Sequence, residues 1–92
     1  MAQVLVKLYT TLRLKLKKHQ IWVKAETAAE AVQAVAEAGG PETAAILYDE
    51  NGIVRNEFLL ALDSEILDRK ALDQVRINEG NVLHIFPPIS GG

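Results

Sequence analysis

Apolar and polar residues alternate from Gln3 to Tyr9, with Val4, Val6 and Leu8 opposed to Gln3, Leu5, Lys7 and Tyr9. A period of two predicts a strand with one strongly apolar face. Leu12 to Leu16 alternates again, and Ile21-Trp22-Val23 resumes after the polar break Lys17-Lys18-His19-Gln20. The apolar phase shifts from even to odd numbers across that break. A single strand cannot shift phase without a bulge or turn, so irregular backbone is expected near residues 17–20. Together these stretches predict an N-terminal hairpin.

Thr27-Ala28-Ala29-Glu30 has the spacing of a capping box, in which the Thr27 hydroxyl and the Glu30 carboxylate serve each other's backbone N–H. A helix follows through Ala38, with Ala28, Ala31, Val32, Val35 and Ala36 on one stripe. Gly39-Gly40-Pro41 stops it. The small alanines predict close approach to a sheet. Ala44 to Tyr48 reads as a short apolar segment, Asn51-Gly52 as a tight turn, and Ile53-Val54 as the return. A strand is expected within Glu57 to Leu62, and a helical turn within Asp68 to Val75 that points Leu67, Leu72 and Val75 inward. Glu79-Gly80 then turns into a last strand, Asn81 to Phe86. Leu83 and Ile85 face the core there, leaving Val82, His84 and Phe86 on the other side. The fold class is α+β: a mixed sheet of four to five strands, one main helix on one face, and one parallel pairing bridged by that helix.

Composition narrows the chemistry. Ninety-two residues at 49% hydrophobic suit one domain with a single core. With no cysteine, disulfides, thiolate nucleophiles, zinc–thiolate sites and iron–sulfur clusters drop out together. No Walker A loop, His-Glu-x-x-His or nucleophile elbow occurs, and no metal site is expected. No apolar run is long enough for a membrane span and no signal pattern opens the chain, so a cytoplasmic protein without a membrane partner is expected. The net charge of −2 is uneven: residues 1–24 carry six basic residues and no acid, the remainder four basic and twelve acidic. Arg13, Lys15 and Lys17 alternate with leucines and lack aromatic neighbours in that run, so they read as a solvated face. No nucleic-acid partner is expected.

The remaining feature is the end, Phe86-Pro87-Pro88-Ile89-Ser90-Gly91-Gly92. Two prolines hold an extended φ and supply no N–H to a sheet, so they end the strand at Phe86 and launch an arm. Two glycines without Cβ atoms make the tip thin enough to thread a narrow channel. Residues 1–86 are therefore read as the domain and 87–92 as a flexible tail.

The order of elements, together with Gly80 to Gly92, resembles the MoaD/ThiS family of ubiquitin-like sulfur carriers, with the β-grasp fold. The resemblance is narrowest to the small subunit of molybdopterin synthase and to small archaeal modifiers. Phe-Pro-Pro-x-x-Gly-Gly is the specific element. Leu12-Arg13, Glu26-Thr27 and Asp49-Glu50-Asn51-Gly52 also stand where such proteins carry similar residues. Asp63-Ser64 replaces a frequent Asn-Gly turn, and Asn81-Val82 an acidic pair.

The resemblance implies chemistry done to the protein rather than by it. An E1-like adenylating enzyme would use ATP and Mg to activate the Gly92 carboxylate, and sulfur transfer would give a thiocarboxylate. Gly91 would let the arm pass a constriction. Phe86, Pro87, Pro88, Ile89, Ser90, His84 and Val82 would meet the partner, first the E1-like enzyme and then the molybdopterin synthase large subunit or another sulfur acceptor. No cofactor would be bound. Phe86 and His84 also read as core rim and ordinary surface histidine. Two other functions stay open: a modifier joined through Gly92 to lysines of target proteins, and a plain binding module whose Gly-Gly end is incidental.

Overall fold

The computed structural model describes residues 2–86. Strand β1 (Ala2–Leu8) pairs antiparallel with β2 (Gln20–Ala25) and parallel with β5 (Val82–Phe86). Strand β3 (Leu59–Leu62) pairs antiparallel with β5 on one side and with the short β4 (Glu65–Ile66) on the other. The sheet order is β2-β1-β5-β3-β4. Helix α2 (Ala28–Gly39) bridges the first hairpin to the rest of the chain. Val4, Val6, Leu8, Leu83 and Ile85 are buried together with the whole predicted stripe of α2. The expected α+β class, parallel pairing and core faces are all present. This is the β-grasp arrangement.

The N-terminal hairpin forms, but residues 12–16 are not part of its second arm. They lie in helix α1 (Thr10–Leu16), which ends at Lys17 in the left-handed conformation, φ 60°. Alternating leucines fit either element when only two of them need burial. Leu12 is fully buried and Leu16 partly so, an i,i+4 pair on one helical face. Leu14 rotates outward and is 75% exposed. The phase shift in the sequence is the signature of this helix, and the irregular backbone expected near residue 17 is its left-handed cap.

The apolar run after Pro41 is likewise helical, not extended. Gly40 takes φ 83° and its carbonyl accepts from the N–H groups of Thr43 and Ala44 at 3.0 and 3.1 Å. Pro41, with its fixed φ and no N–H to waste, then opens helix α3 (Pro41–Leu47). The Gly-Gly-Pro sequence makes a corner between two helices. Gly39 is needed there for space: a Cβ would overlap the side chain of Thr43, which is fully buried and donates to the Gly39 carbonyl at 3.1 Å. Gly39→Ala therefore sets a helix-propensity gain of about 1 kcal/mol against overpacking of about 1–3 kcal/mol. The clash is with the Cβ of a packed side chain and should win. Thermal unfolding should show a lower midpoint; a raised one would contradict the packing argument.

The Thr27 cap is present, with the Glu30 N–H donating to the hydroxyl at 3.2 Å. The Glu30 carboxylate reaches one residue further back than expected and accepts from the Glu26 N–H at 2.8 Å. Tyr48 and Val54 form an isolated bridge around a turn in which Gly52 has φ 78°. Asp49 organises that turn by accepting from the Asn51 and Ile53 N–H groups at 2.8 and 3.0 Å. The Ile53 bond, then that from Asn51, holds its carboxyl below the ordinary value of 3.8. A depressed folded pKa means the contribution exists above 3.8 and is lost as pH falls through the lower folded value. Asp49→Ala is expected to lower the unfolding midpoint at pH 7 and to show a smaller further loss than the parent below pH 3.8. Parallel losses in acid would contradict this.

A 3-10 turn (Leu72–Gln74) buries Leu72, with Leu67 and Val75 packed against the core as anticipated. The Asp63-Ser64 turn joins β3 to β4 with Asp63 at φ 54°. Its carboxylate accepts from the Val82 N–H at 3.0 Å and from the Asn81 amide at 2.7 Å. These two departures from the family pattern thus bind each other and fix the start of β5.

Candidate functional site

All the helices contribute to one side of the sheet. Among the described residues no second layer covers the other side. The pairing registers place Gln3, Leu5 and Lys7 of β1, Gln20, Trp22 and Lys24 of β2, and Val82, His84 and Phe86 of β5 on this open face, with Leu59, Ala61 and Ile66 beyond. Trp22, Leu59 and Ile66 are exposed, while Leu5, Val82, His84 and Phe86 are half-buried by one another. Contiguous exposed apolar residues on a small protein are typical of contact surfaces.

Three rings gather at its upper end. Tyr9, one step past β1, comes abreast of Phe86 because Leu8 is in register with Ile85. The Tyr9 and Phe86 rings stack with centroids 4.9 Å apart and 19° between planes. His84 stacks on Phe86 at 5.5 Å and 3°. Tyr9 Oη and His84 Nδ1 are 3.0 Å apart, with Tyr9 donating to a bare Nδ1 or accepting from an Nδ1–H. Leu59 pairs with Phe86 from the far side. Phe86 is therefore held on three sides at the residue immediately before Pro87. It faces the open side and not the core rim.

Of the residues singled out from the sequence, Val82, His84 and Phe86 share this face. Pro87, Pro88, Ile89, Ser90, Gly91 and Gly92, with the division of the chain at residue 86, lie outside the described residues. Tyr9, Leu59 and Trp22 belong to the same surface and were not singled out. Tyr9 was in phase with Leu5 and Lys7, but its meeting with Phe86 depends on the parallel register. Among the described residues no three His, Asp or Glu side chains converge to hold a metal. No helix is long and apolar enough to cross a membrane. A cleft of about 750 Å³ lies on the helical side, lined by Val32, Ala36, Tyr48, Ile53 and Leu72 among others. Burial, and then the Glu37 carboxylate, raises the Tyr48 hydroxyl pKa. Among the described residues its lining includes no serine, cysteine or histidine.

The ThiS family profile matches residues 6–92, from the middle of β1 through the terminal glycines. The chain belongs to the ThiS family. Among curated protein sequences nothing matches it. The fold is similar to that of small archaeal modifier protein SAMP1 from Haloferax volcanii, with TM-score 0.85 and 21% identity, covering 99% of this chain and 100% of that one. A chain of the Amycolatopsis orientalis BexX/CysO complex matches with TM-score 0.77 and 20% identity, covering 97% and 99%. A Pyrococcus furiosus protein assigned as subunit 1 of a molybdopterin converting factor matches with TM-score 0.70 and 15% identity, covering 97% and 100%. At these identities the likeness is one of fold.

Proposed function

We propose that this protein is a sulfur carrier activated at Gly92 by an E1-like enzyme. The observation that carries the reading is Phe86-Pro87-Pro88-Ile89-Ser90-Gly91-Gly92 continuing directly from the last strand of an open apolar face. The domain docks through that face, and the arm enters the adenylation site. A Gly92 carboxylate oxygen attacks the α-phosphorus of ATP, with Mg held by the enzyme, and pyrophosphate leaves. Hydrosulfide then attacks the acyl carbon and AMP departs, leaving a thiocarboxylate. A persulfide donor gives an acyl disulfide that a thiol reduces to the same product. The acceptor we favour is the molybdopterin precursor, reached through the synthase large subunit, because the Phe-Pro-Pro ending is that branch's pattern. Neither step asks this chain for an acid, a base or a metal.

A second reading rests on the same terminal pair and the fold likeness to a small archaeal modifier. There a lysine amine of a target protein attacks the activated carbonyl and forms an isopeptide bond. Both readings share the adenylate and part at the attacking atom. Incubating the chain with the E1-like enzyme, ATP and sulfide tests the first: a thiocarboxylate terminus is expected. An adenylate that reacts with lysine but never with sulfide would favour the modifier. A chain that supports no pyrophosphate exchange is a plain binding module.

A further inference from the structure

The open face is chemically lopsided. Lys7 sits between Gln20 on one side and His84 on the other. Trp22, 59% exposed, lies across from Leu5, and Lys24 follows on the same side of β2. The Lys17–His19 segment runs against the end of β1, where the Leu8 N–H donates to the His19 carbonyl at 2.9 Å. No open-face position of the five strands carries a carboxylate. Two carboxylates at the margin are engaged with backbone: Glu79 accepts from the Gln3 N–H at 2.8 Å, and Asp63 from the Val82 N–H at 3.0 Å. Among the described residues only Lys15 of the six basic residues in 1–24 has an ion pair, with Glu42 at 3.2 Å. A chain of net charge −2 thus gathers free cations around its exposed indole.

Such a surface fits either a nucleic acid or an acidic protein, and ring geometry decides between them. Base stacking along a strand needs several free ring faces. Tyr9, His84 and Phe86 spend theirs on one another. Trp22 is left alone, as an anchor residue for a protein socket would be. Strands β2 and β5 flank β1, so Trp22 stands about 10 Å across the sheet from the strand that feeds the arm. That distance keeps it within one continuous interface.

We propose that Trp22, ringed by Lys7 and Lys24 with Lys17 and Lys18 beyond, docks into an apolar socket rimmed by carboxylates on the E1-like adenylating enzyme. This rests on the activation reading above and adds a contact remote from the arm. The contact captures the domain and takes no part in the chemistry at Gly92.

The test is ATP–pyrophosphate exchange by the source organism's E1-like enzyme, titrating the full chain at low and high salt. Trp22→Ala should raise KM at least ~10-fold with kcat nearly unchanged. Lys7→Glu with Lys24→Glu should raise KM by ~10-fold or more at low salt, and the penalty should shrink at high salt as screening shortens. If that pair unfolds in a thermal melt, Lys7→Gln with Lys24→Gln decides, with a smaller rise in the same direction. Folded variants with the wild-type KM at both salts overturn this inference and leave the activation reading intact. A wild-type chain that is not adenylated overturns both. Binding of single-stranded oligouridine that these variants lose, with KM unmoved, would reassign the face to nucleic acid.

Discussion

Gly91→Val is expected to abolish adenylation while leaving the unfolding midpoint where it was. The reasoning is steric and local. Valine adds a branched side chain and stiffens the backbone where, on the activation reading, the arm threads the enzyme's channel. Reaction geometry is unforgiving: a displacement of about 1 Å from the attack position costs about 10²-fold. Deleting Gly92 shortens the arm by about 3.5 Å, so it should be at least as damaging although a carboxylate remains. Strand β5 ends at Phe86, and neither change alters a residue of the buried core, whose last member in sequence is Ile85. Pyrophosphate exchange with the E1-like enzyme is the readout, and near-normal exchange by either variant would contradict threading of the arm.

Phe86→Ala is expected to produce the second largest effect, on capture instead of threading. The ring stacks on both Tyr9 and His84, and each such pair is worth about 0.5–1.5 kcal/mol. Losing both costs stability of about 1–3 kcal/mol against a total of about 5–15, so the variant stays folded. As the proposed anchor at the root of the arm, however, the ring is expected to contribute about 2 kcal/mol or more to docking, or at least ~30-fold in KM. Phe86→Leu separates the contributions, since it keeps apolar contact with the partner and removes the stack. An intermediate KM is expected for leucine. If alanine lowers only the melting temperature and leaves KM alone, Phe86 is structural and the open face is not the docking surface.

The elements that the sequence announced best were those with a single physical solution. The α2 stripe could be buried only as a helix, and its five predicted residues are all in the core. Val4, Val6, Leu83 and Ile85 likewise had one possible face. The misreadings fall where short apolar runs fit two periods. Leu12-Arg13-Leu14-Lys15-Leu16 alternates as a strand would, yet burying Leu12 and Leu16 while exposing Leu14 satisfies a helix equally. Residues 44–47 turned helical because Gly40 and Pro41 restart a helix as readily as they end one. Of the candidate site, Val82, His84 and Phe86 were legible from the phase of the last strand. Tyr9 and Trp22 were not, because their importance comes from cross-strand register. The run around Lys15 lies in α1 away from the strand ladder; the lysines that the pairing of β1 with β2 and β5 brings beside rings are Lys7 and Lys24.

The most direct test of the account is the intact mass of the protein isolated from its native cell, with a parallel search for its tail on lysines of other proteins. A free chain is expected in which one oxygen of the terminal carboxylate is replaced by sulfur. Branched Gly-Gly remnants on other proteins, with no sulfur on the free chain, would select the modifier reading. An unaltered terminus with no such remnants would contradict activation at Gly92 altogether.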